Sequence, residues 1–445
     1  MFGISVLKAA EICHGQLNNT RFAEKEINRI VIDSRSAGEG DLFVAYKGDN
    51  TDGHDYIVNA FEHGAACALA EHLPTDNTDN PVIVVENVQN AVEKIIEYFL
   101  QSLNVPVIGI TGSVGKTTAK EMTASVLAEK FQVYKTEKNL NSNIGLPITM
   151  SGIPMNTELA VLELGISIPG EMDHRGAMTH PDVMIFTNIG HAHLEFLGSL
   201  EGVFREKTKI IKYMPDDGIV IINGDDEWLK KIVSSQRILS YGLGEDCNVR
   251  AENIVITKSG CVEFDIHYEN RTLHIISNTF GRHMIYASLI GACAGFVYGL
   301  SDEQILHGIE NYHIEGRRGA VTDTGYLTLI DDCYNSNFES CRMAIDSLMD
   351  LKGRHVCILG DILELGDSAE EQHKLLGDYA RKAGVELIIG VGEYGSFISD
   401  CFYKSKKDLI AELSSLIKKG DIVLVKASHG IHLEEVSDIL KQLSE

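Results

Sequence analysis

The stretch VPVIGITGSVGKTTAKEMTASVLAEK (105–130) constrains this chain more than any other. An apolar run, a glycine-rich turn, and then Ala119, Met122 and Val126 at i, i+3, i+7 spacing read as strand, loop and helix. A helix starting at such a turn offers unpaired backbone N–H groups to an anion, so the turn is a candidate phosphate cradle. Gly112, Ser113, Gly115, Lys116, Thr117 and Thr118 are its candidate nucleotide contacts, with Lys116 toward the outer phosphates and the Thr117 hydroxyl toward Mg²⁺. Ile110 stands where the general phosphate loop has its first glycine. The bland alternative is a Gly-Ser turn capping a helix. A guanine signature of the form Asn-Lys-x-Asp is missing from the sequence, which favours ATP over GTP.

The rest of the chain repeats the alternation that such a unit needs. Residues 28–57 look like short strands broken by Gly and Asp turns, IVNAFEHGAACALAE looks helical, and PVIVVEN (81–87) reads as a strand closing a first domain. ELAVLEL (158–164), DVMIFTN (182–188) and GIVIIN (218–223) are near-continuous apolar strands, the pattern of a parallel sheet covered on both faces. From about 313, YLTLIDD, RHVCILG, VELIIGV and DIVLVKA alternate with helical stretches in a smaller Rossmann-like unit. The expected architecture is α/β in three domains: a small one over 1–86, a central ATP-binding one over 87–312 and a C-terminal one over 313–445.

Charge and composition exclude several classes. A net charge of −25, from 39 Lys and Arg against 64 Asp and Glu, argues against a nucleic-acid partner. Nine scattered cysteines without a CxxC pair read as reduced thiols of a cytoplasmic protein, and Lys8 and Glu11 spoil the N-terminus as a signal peptide. MIYASLIGACAGFVYGL (284–300) is uncharged, but it lacks basic flanks and runs into a capping box at Ser301–Gln304. It reads as a buried small-residue helix, so no membrane span is expected.

Several side chains outside the loop could carry chemistry. Glu163 ends an apolar strand, where a parallel sheet opens onto its ligand crevice. His191 and His193 follow another such strand; each alone is an ordinary structural histidine, but with Thr117 and Glu163 they make a plausible Mg²⁺ environment. Lys207, by spacing alone, belongs to a solvated helix face. Arg317 and Arg318 suit a developing phosphoryl charge and Asp331 and Asp332 a ribose, although surface salt-bridge residues would look the same.

In this order the stretches resemble the Mur ligases, the ATP-dependent amide ligases of peptidoglycan precursor synthesis, across nearly the whole chain. The segments that carry the likeness are DSRSAGEGDLFVAYKGDNTDGHDY, TGSVGKTT, KTEKNLNSNIGLPIT, TNIGHAHLEFLGSLEGVFREK, DDCYNSNFES and GDILELGDSAEEQH. Their combination is most similar to the branch that joins D-alanyl-D-alanine to UDP-N-acetylmuramoyl-tripeptide. The resemblance implies three domains and an acyl-phosphate mechanism using ATP and two Mg²⁺ ions in a monomer.

Residue by residue, the resemblance implies Lys116 on the β- and γ-phosphates and Thr117, Glu163 and His193 on metal, with Lys207 carbamylated as a further metal ligand. It also implies Arg317 at the γ-phosphate, Asp332 on the ribose and His283 near the nucleotide. Ser34, Arg35 and Lys47 fall where the uridine nucleotide is held, and Asn139, Asn141 and Asn335 in substrate-contacting segments. Five positions depart from the pattern: Val114 for Asn, Met284 and Ala287 for two asparagines, Lys209 for an acid and His429 for Arg. A family member with another dipeptide or acceptor, or a nucleotide-sugar-binding module without turnover, are the alternative readings.

Overall fold

The computed structural model describes residues 3–48, 51–75, 79–137, 140–191, 194–257, 260–313 and 316–443. His193 and Asn139 lie outside the described residues.

The N-terminal sheet runs Gln16–Leu17, Val82–Val84, Cys67–Ala70, Asp41–Val44, Arg29–Val31, parallel except for its first member. Its middle strand corrects one expectation. ACALA reads as helix, yet the helix Ile57–Glu62 stops short and Cys67–Ala70 is an extended strand buried at every position. A short apolar run buried on both faces has no periodicity to distinguish it, so its neighbours on either side decide its conformation. Gly64, at φ +109, makes the intervening turn.

The central sheet has nine strands in the order Arg271–Phe280, Cys261–Tyr268, Val249–Ile256, Arg237–Gly242, Ile219–Asn223, Val183–Phe186, Val107–Thr111, Leu159–Glu163, Val133–Lys135. The seven from Val249–Ile256 onward are parallel; the first two form an antiparallel hairpin that extends the sheet. The hairpin strand Cys261–Tyr268 alternates partly exposed and buried residues, as a sheet covered on one face should, and packs Val262, Phe264 and Ile266 inward. The uncharged segment after it forms the helix His283–Val297, packed against Lys116–Leu127 so closely that a Cβ on Gly291 would lie 2.9 Å from Met122. Among the described residues, no helix is long and apolar enough to cross a membrane.

The N-terminal and central units share one apolar core, from Val6 and Ile27 through Val92 and Phe99 to Leu162 and Met184. The C-terminal unit has its own sheet, ordered Ala320–Asp323, Thr328–Asp332, Asp421–Lys426, Arg354–Gly360, Leu387–Val391, Phe402–Tyr403, with only the first strand antiparallel. Separate cores on its two faces seat Phe338–Met349 and Ala369–Ala383 on one side and Lys406–Leu416 and Glu434–Leu440 on the other. All nine cysteines are free thiols.

Candidate active site

The loop after Val107–Thr111 bends at Gly112 (φ +153) and Gly115 (φ +79), and the helix begins at Lys116. Glycine is required at 112: a Cβ there would sit 1.9 Å from Thr187 Oγ1. The parallel neighbour Val183–Phe186 delivers Thr187 and Asn188 to the same edge, and both grip the loop. Asn188 Oδ1 accepts the Val114 N–H (2.9 Å), its Nδ2 donates to the Val114 carbonyl (3.1 Å), and Thr187 Oγ1 donates to that carbonyl (2.6 Å). Ser113 Oγ donates to the Gly190 carbonyl and accepts the Gly190 N–H. The neighbouring strand therefore holds the loop in shape.

Lys116 Nζ folds back onto the carbonyls of Gly112 (2.8 Å) and Ser113 (3.4 Å). Burial lowers its pKa, Glu163 opposes that, and Arg318 adds to it. On the other neighbouring strand, Glu163 Oε2 accepts the Thr117 hydroxyl (2.8 Å) and Oε1 accepts Asn141 Nδ2 (2.7 Å). Glu163 is 3% exposed. A hydroxyl and a carboxylate thus converge beside the loop, with the Asn141 amide fixing the carboxylate, oxygen donors suited to a hard divalent cation.

These groups line a cavity of about 580 Å³ that the C-terminal unit closes. Ser113, Gly115, Lys116, Thr117, Thr118, Asn141, Glu163 and His191 form one wall, and His283, Arg318, Asp332, Tyr334, Asn335, Lys426 and His429 form the other. His191 Nδ1 and its backbone N–H both engage Glu339 Oε1 (2.5 and 3.0 Å), tying the two units together. Lys426, 2% exposed, donates to Asp332 Oδ2 (2.6 Å) and to the Asn335 carbonyl (2.9 Å). Burial lowers the His283 pKa, with Asp332 opposing, so the imidazole is neutral near pH 7.

Arg317 points away from this cavity. Its Nη1 donates to Asp331 (2.9 Å) and the Glu434 carbonyl (3.1 Å), and its Nη2 to both oxygens of Asp438 (2.8 and 2.9 Å). Asp331 is 1% exposed and needs that counter-charge. Arg318 instead lines the cavity, with its guanidinium 3.6 Å from the Tyr334 ring centre, and among the described residues it has no hydrogen bond or ion pair.

Lys207 is not on a solvated face: it is 1% exposed in the helix Leu200–Thr208. Burial holds its pKa well below the usual lysine range, and Lys116 and Arg175 lower it further. Met284 and Ala287, the two departures from asparagine, are buried in the apolar core of the central unit. Lys209, the departure from an acid, pairs with Glu206 (2.6 Å) and Asp173 (3.3 Å).

Ser34, Arg35 and Lys47 do not line the cavity. They follow Arg29–Val31 and Asp41–Val44, paired in parallel, so they gather at the carboxyl edge of the N-terminal sheet. Arg35 is exposed and bidentate to Asp33 (2.9 and 2.8 Å), whose pKa falls to about 2 through that pairing. Thr187, Asn188, Arg175, Glu339 and Lys426 were not singled out by the sequence; the only cue to Thr187 and Asn188 was their place at the end of an apolar strand.

A phosphate loop at the carboxyl edge of a parallel sheet, closed by a second Rossmann-like unit, defines a nucleotide-dependent α/β protein. Residues 26–109 match the Mur ligase family catalytic domain, 110–295 the Mur ligase middle domain and 316–429 the Mur ligase glutamate ligase domain. The UDP-N-acetylmuramoyl-tripeptide–D-alanyl-D-alanine ligase of Bacillus subtilis is 34% identical over 97% of each chain, and that of Escherichia coli 31% identical over 99% of each. A crystal structure of MurF from Acinetobacter baumannii superposes with a TM-score of 0.93 at 28% identity over 99% of both chains. MurF ligase from Thermotoga maritima in complex with ADP gives 0.86 at 28% identity, over 93% of this chain and 97% of that one. The chain belongs to the Mur ligase family.

Proposed function

We propose that this chain is an ATP-dependent ligase that joins D-alanyl-D-alanine to UDP-N-acetylmuramoyl-tripeptide in peptidoglycan precursor synthesis, acting in the cytoplasm as a monomer. The observation that carries the reaction class is the shared cavity, where the phosphate loop and Glu163 face Arg318 and Asp332. The substrates follow those in the relatives' names.

A peptide carboxylate is a poor acyl donor until one oxygen becomes a good leaving group. The backbone N–H groups at the start of Lys116–Leu127 and the Lys116 ammonium receive the β- and γ-phosphates, so Lys116 exchanges the Gly112 carbonyl for phosphate oxygen. Arg318, unpaired and facing Lys116 across the cavity, takes the γ-phosphate role that the sequence assigned to Arg317. Asp332 Oδ1, on the carboxylate whose Oδ2 is held by Lys426, receives a ribose hydroxyl, with neutral His283 beside it.

Thr117 and Glu163, joined by Asn141, would hold Mg²⁺, and His193 and a carbamylated Lys207 would complete two ion sites. Mg²⁺ supplies charge neutralisation to the transferring phosphoryl group. The dipeptide amine attacks the acyl phosphate from the C-terminal side, with Asn335 on that wall, and the tetrahedral intermediate expels phosphate. Ser34, Arg35 and Lys47 hold the uridine nucleotide at the N-terminal sheet edge, and Asn139 lies in the segment that contacts substrate.

The test is phosphate release from ATP with both UDP-N-acetylmuramoyl-tripeptide and D-alanyl-D-alanine present, and with each omitted. Release that needs both supports the reading. No release with both at millimolar concentration overturns it.

A further inference from the structure

Arg175 is one of the largest fully enclosed side chains of the protein, 2% exposed, on the helix Glu171–Thr179 at the cavity wall. Its terminal nitrogens are occupied. Nη1 donates to Asn143 Oδ1 (2.5 Å) and the Glu171 carbonyl (3.3 Å), and Nη2 donates to the Asn141 carbonyl (3.3 Å). Its Nε–H is buried and, among the described residues, has no hydrogen-bond partner. An unpaired buried donor on a permanent cation is costly and implies an acceptor that the unmodified side chains do not supply.

The packing indicates where that acceptor belongs. Arg175's helix is fastened to Leu200–Thr208, because Glu206 Oε1 accepts the N–H groups of Gly170 (2.8 Å) and Met172 (3.2 Å) at its start. Lys207, the next residue, is as buried as Arg175 and, among the described residues, has no hydrogen bond or ion pair. The two cations acting on it are Lys116 and Arg175. The nearby carboxylates are already engaged: Glu206 with those N–H groups and Lys209, and Glu171 with the N–H groups of Ser167 and Ile168 and, at 3.6 Å, with the Arg175 Nη2, which leaves only the Arg175 Nε–H open. The Lys207 amine and the Arg175 Nε–H, each without a hydrogen-bond partner among the described residues, therefore lie in one buried region.

We propose that Arg175 is the positioning residue for a carbamate formed on Lys207, its Nε–H donating to a carbamate oxygen and aiming that anion at the metal site beside Glu163. This rests on the carbamylated-lysine part of the proposed function. The Nζ lone pair forms the N–C bond to CO₂, one C–O π pair moves onto oxygen, and the proton lost from nitrogen passes to water. A repelling pair of bases becomes an anion between two cations. Arginine suits the position because its guanidinium stays charged and is weakly hydrated.

The experiment titrates bicarbonate into CO₂-depleted parent, R175K, R175M and K207A proteins. It follows the ligase rate and, with ¹³C-bicarbonate, the carbamate carbon by NMR. The parent should show the signal and a saturable rate, and K207A neither. R175M should need about tenfold more bicarbonate for half-maximal signal and rate, as expected for one lost charge-assisted hydrogen bond, with R175K between. Parent and R175M half-saturating together would overturn the Arg175 assignment alone. A parent with no signal and no bicarbonate dependence would overturn the carbamate itself, leaving the ligase reading to the phosphate-release assay. If R175M melts early, R175K carries the comparison.

Discussion

Glu163→Gln separates stability from chemistry because the structure predicts opposite sizes for the two effects. The carboxylate is 3% exposed and accepts two side-chain hydrogen bonds, from Thr117 and Asn141, while its backbone N–H donates to Thr136 Oγ1 (2.9 Å). In the amide, the oxygen keeps Asn141 and the NH₂ donates to Thr117, whose hydroxyl rotates to accept. Two bonds to a charged acceptor become two neutral ones, a loss of about 2–3 kcal/mol. Removing a buried carboxylate returns desolvation energy of similar size. The melting temperature of the ligand-free protein should move by less than about 3 °C. Catalysis loses a carboxylate oxygen at the cation site, about 3–4 kcal/mol, so the rate falls about a hundred- to a thousandfold and half-saturation moves to higher Mg²⁺. Scanning calorimetry and coupled phosphate release at varied Mg²⁺ read both. A rate within about fivefold of the parent at ordinary Mg²⁺, about 1 kcal/mol, would refute the assignment of Glu163 to the cation.

Three further outcomes are expected. Arg318→Ala should cut kcat/KM for ATP by about a hundredfold with an unchanged melt, whereas Arg317→Ala should leave Asp331 with Lys441 (3.2 Å) as its remaining cation and cost about 2 kcal/mol of C-terminal stability; the reverse pattern restores the sequence assignment. Asn188→Ala removes two of the three side-chain bonds to Val114, leaving that of Thr187, so ADP affinity measured by calorimetry should fall about tenfold; unchanged affinity would mean the loop holds its shape without Asn188. His373, fully buried, accepts the Ile362 N–H on Nε2 (2.9 Å) and binds the Ala369 carbonyl through Nδ1 (2.6 Å), and burial lowers its pKa. With a folded pKa below the unfolded one, the unfolded chain binds more protons as pH drops through about 6.5, so stability rises with pH there and is lost toward acid. Melts from pH 7.5 to 5.5 should show that slope in the parent, reduced in His373→Gln; equal slopes would exclude His373 as a source.

The phosphate loop, its strand and its helix were legible because their signals are local, an apolar run, a glycine turn and a helical spacing in one stretch, although Thr187 and Asn188 hold the loop's shape. The long apolar strands of the α/β units were legible for the same reason. Cys67–Ala70 was not, since a short apolar run takes its conformation from the strands on either side. The antiparallel hairpin at Val249–Phe280 was missed although its alternation was present, because pairing direction depends on which strand lies alongside.

The site divided along the same line. Residue types and order determined that a phosphate, a cation and a ribose have candidate partners in Lys116, Thr117, Glu163 and Asp332. Residue type left Arg317 and Arg318 alike, adjacent in the chain and equal in charge, and the family resemblance pointed to Arg317. Their placement is tertiary: Asp331 and Asp438 draw Arg317 out of the cavity, and Arg318 is left stacked on Tyr334. Lys207 is the sharpest case, where spacing alone suggested a solvated face and packing left it 1% exposed beside Arg175 and Lys116. Charge and propensity belong to a residue, but desolvation and partners depend on what the rest of the chain brings against it, and that is decided by the tertiary structure alone.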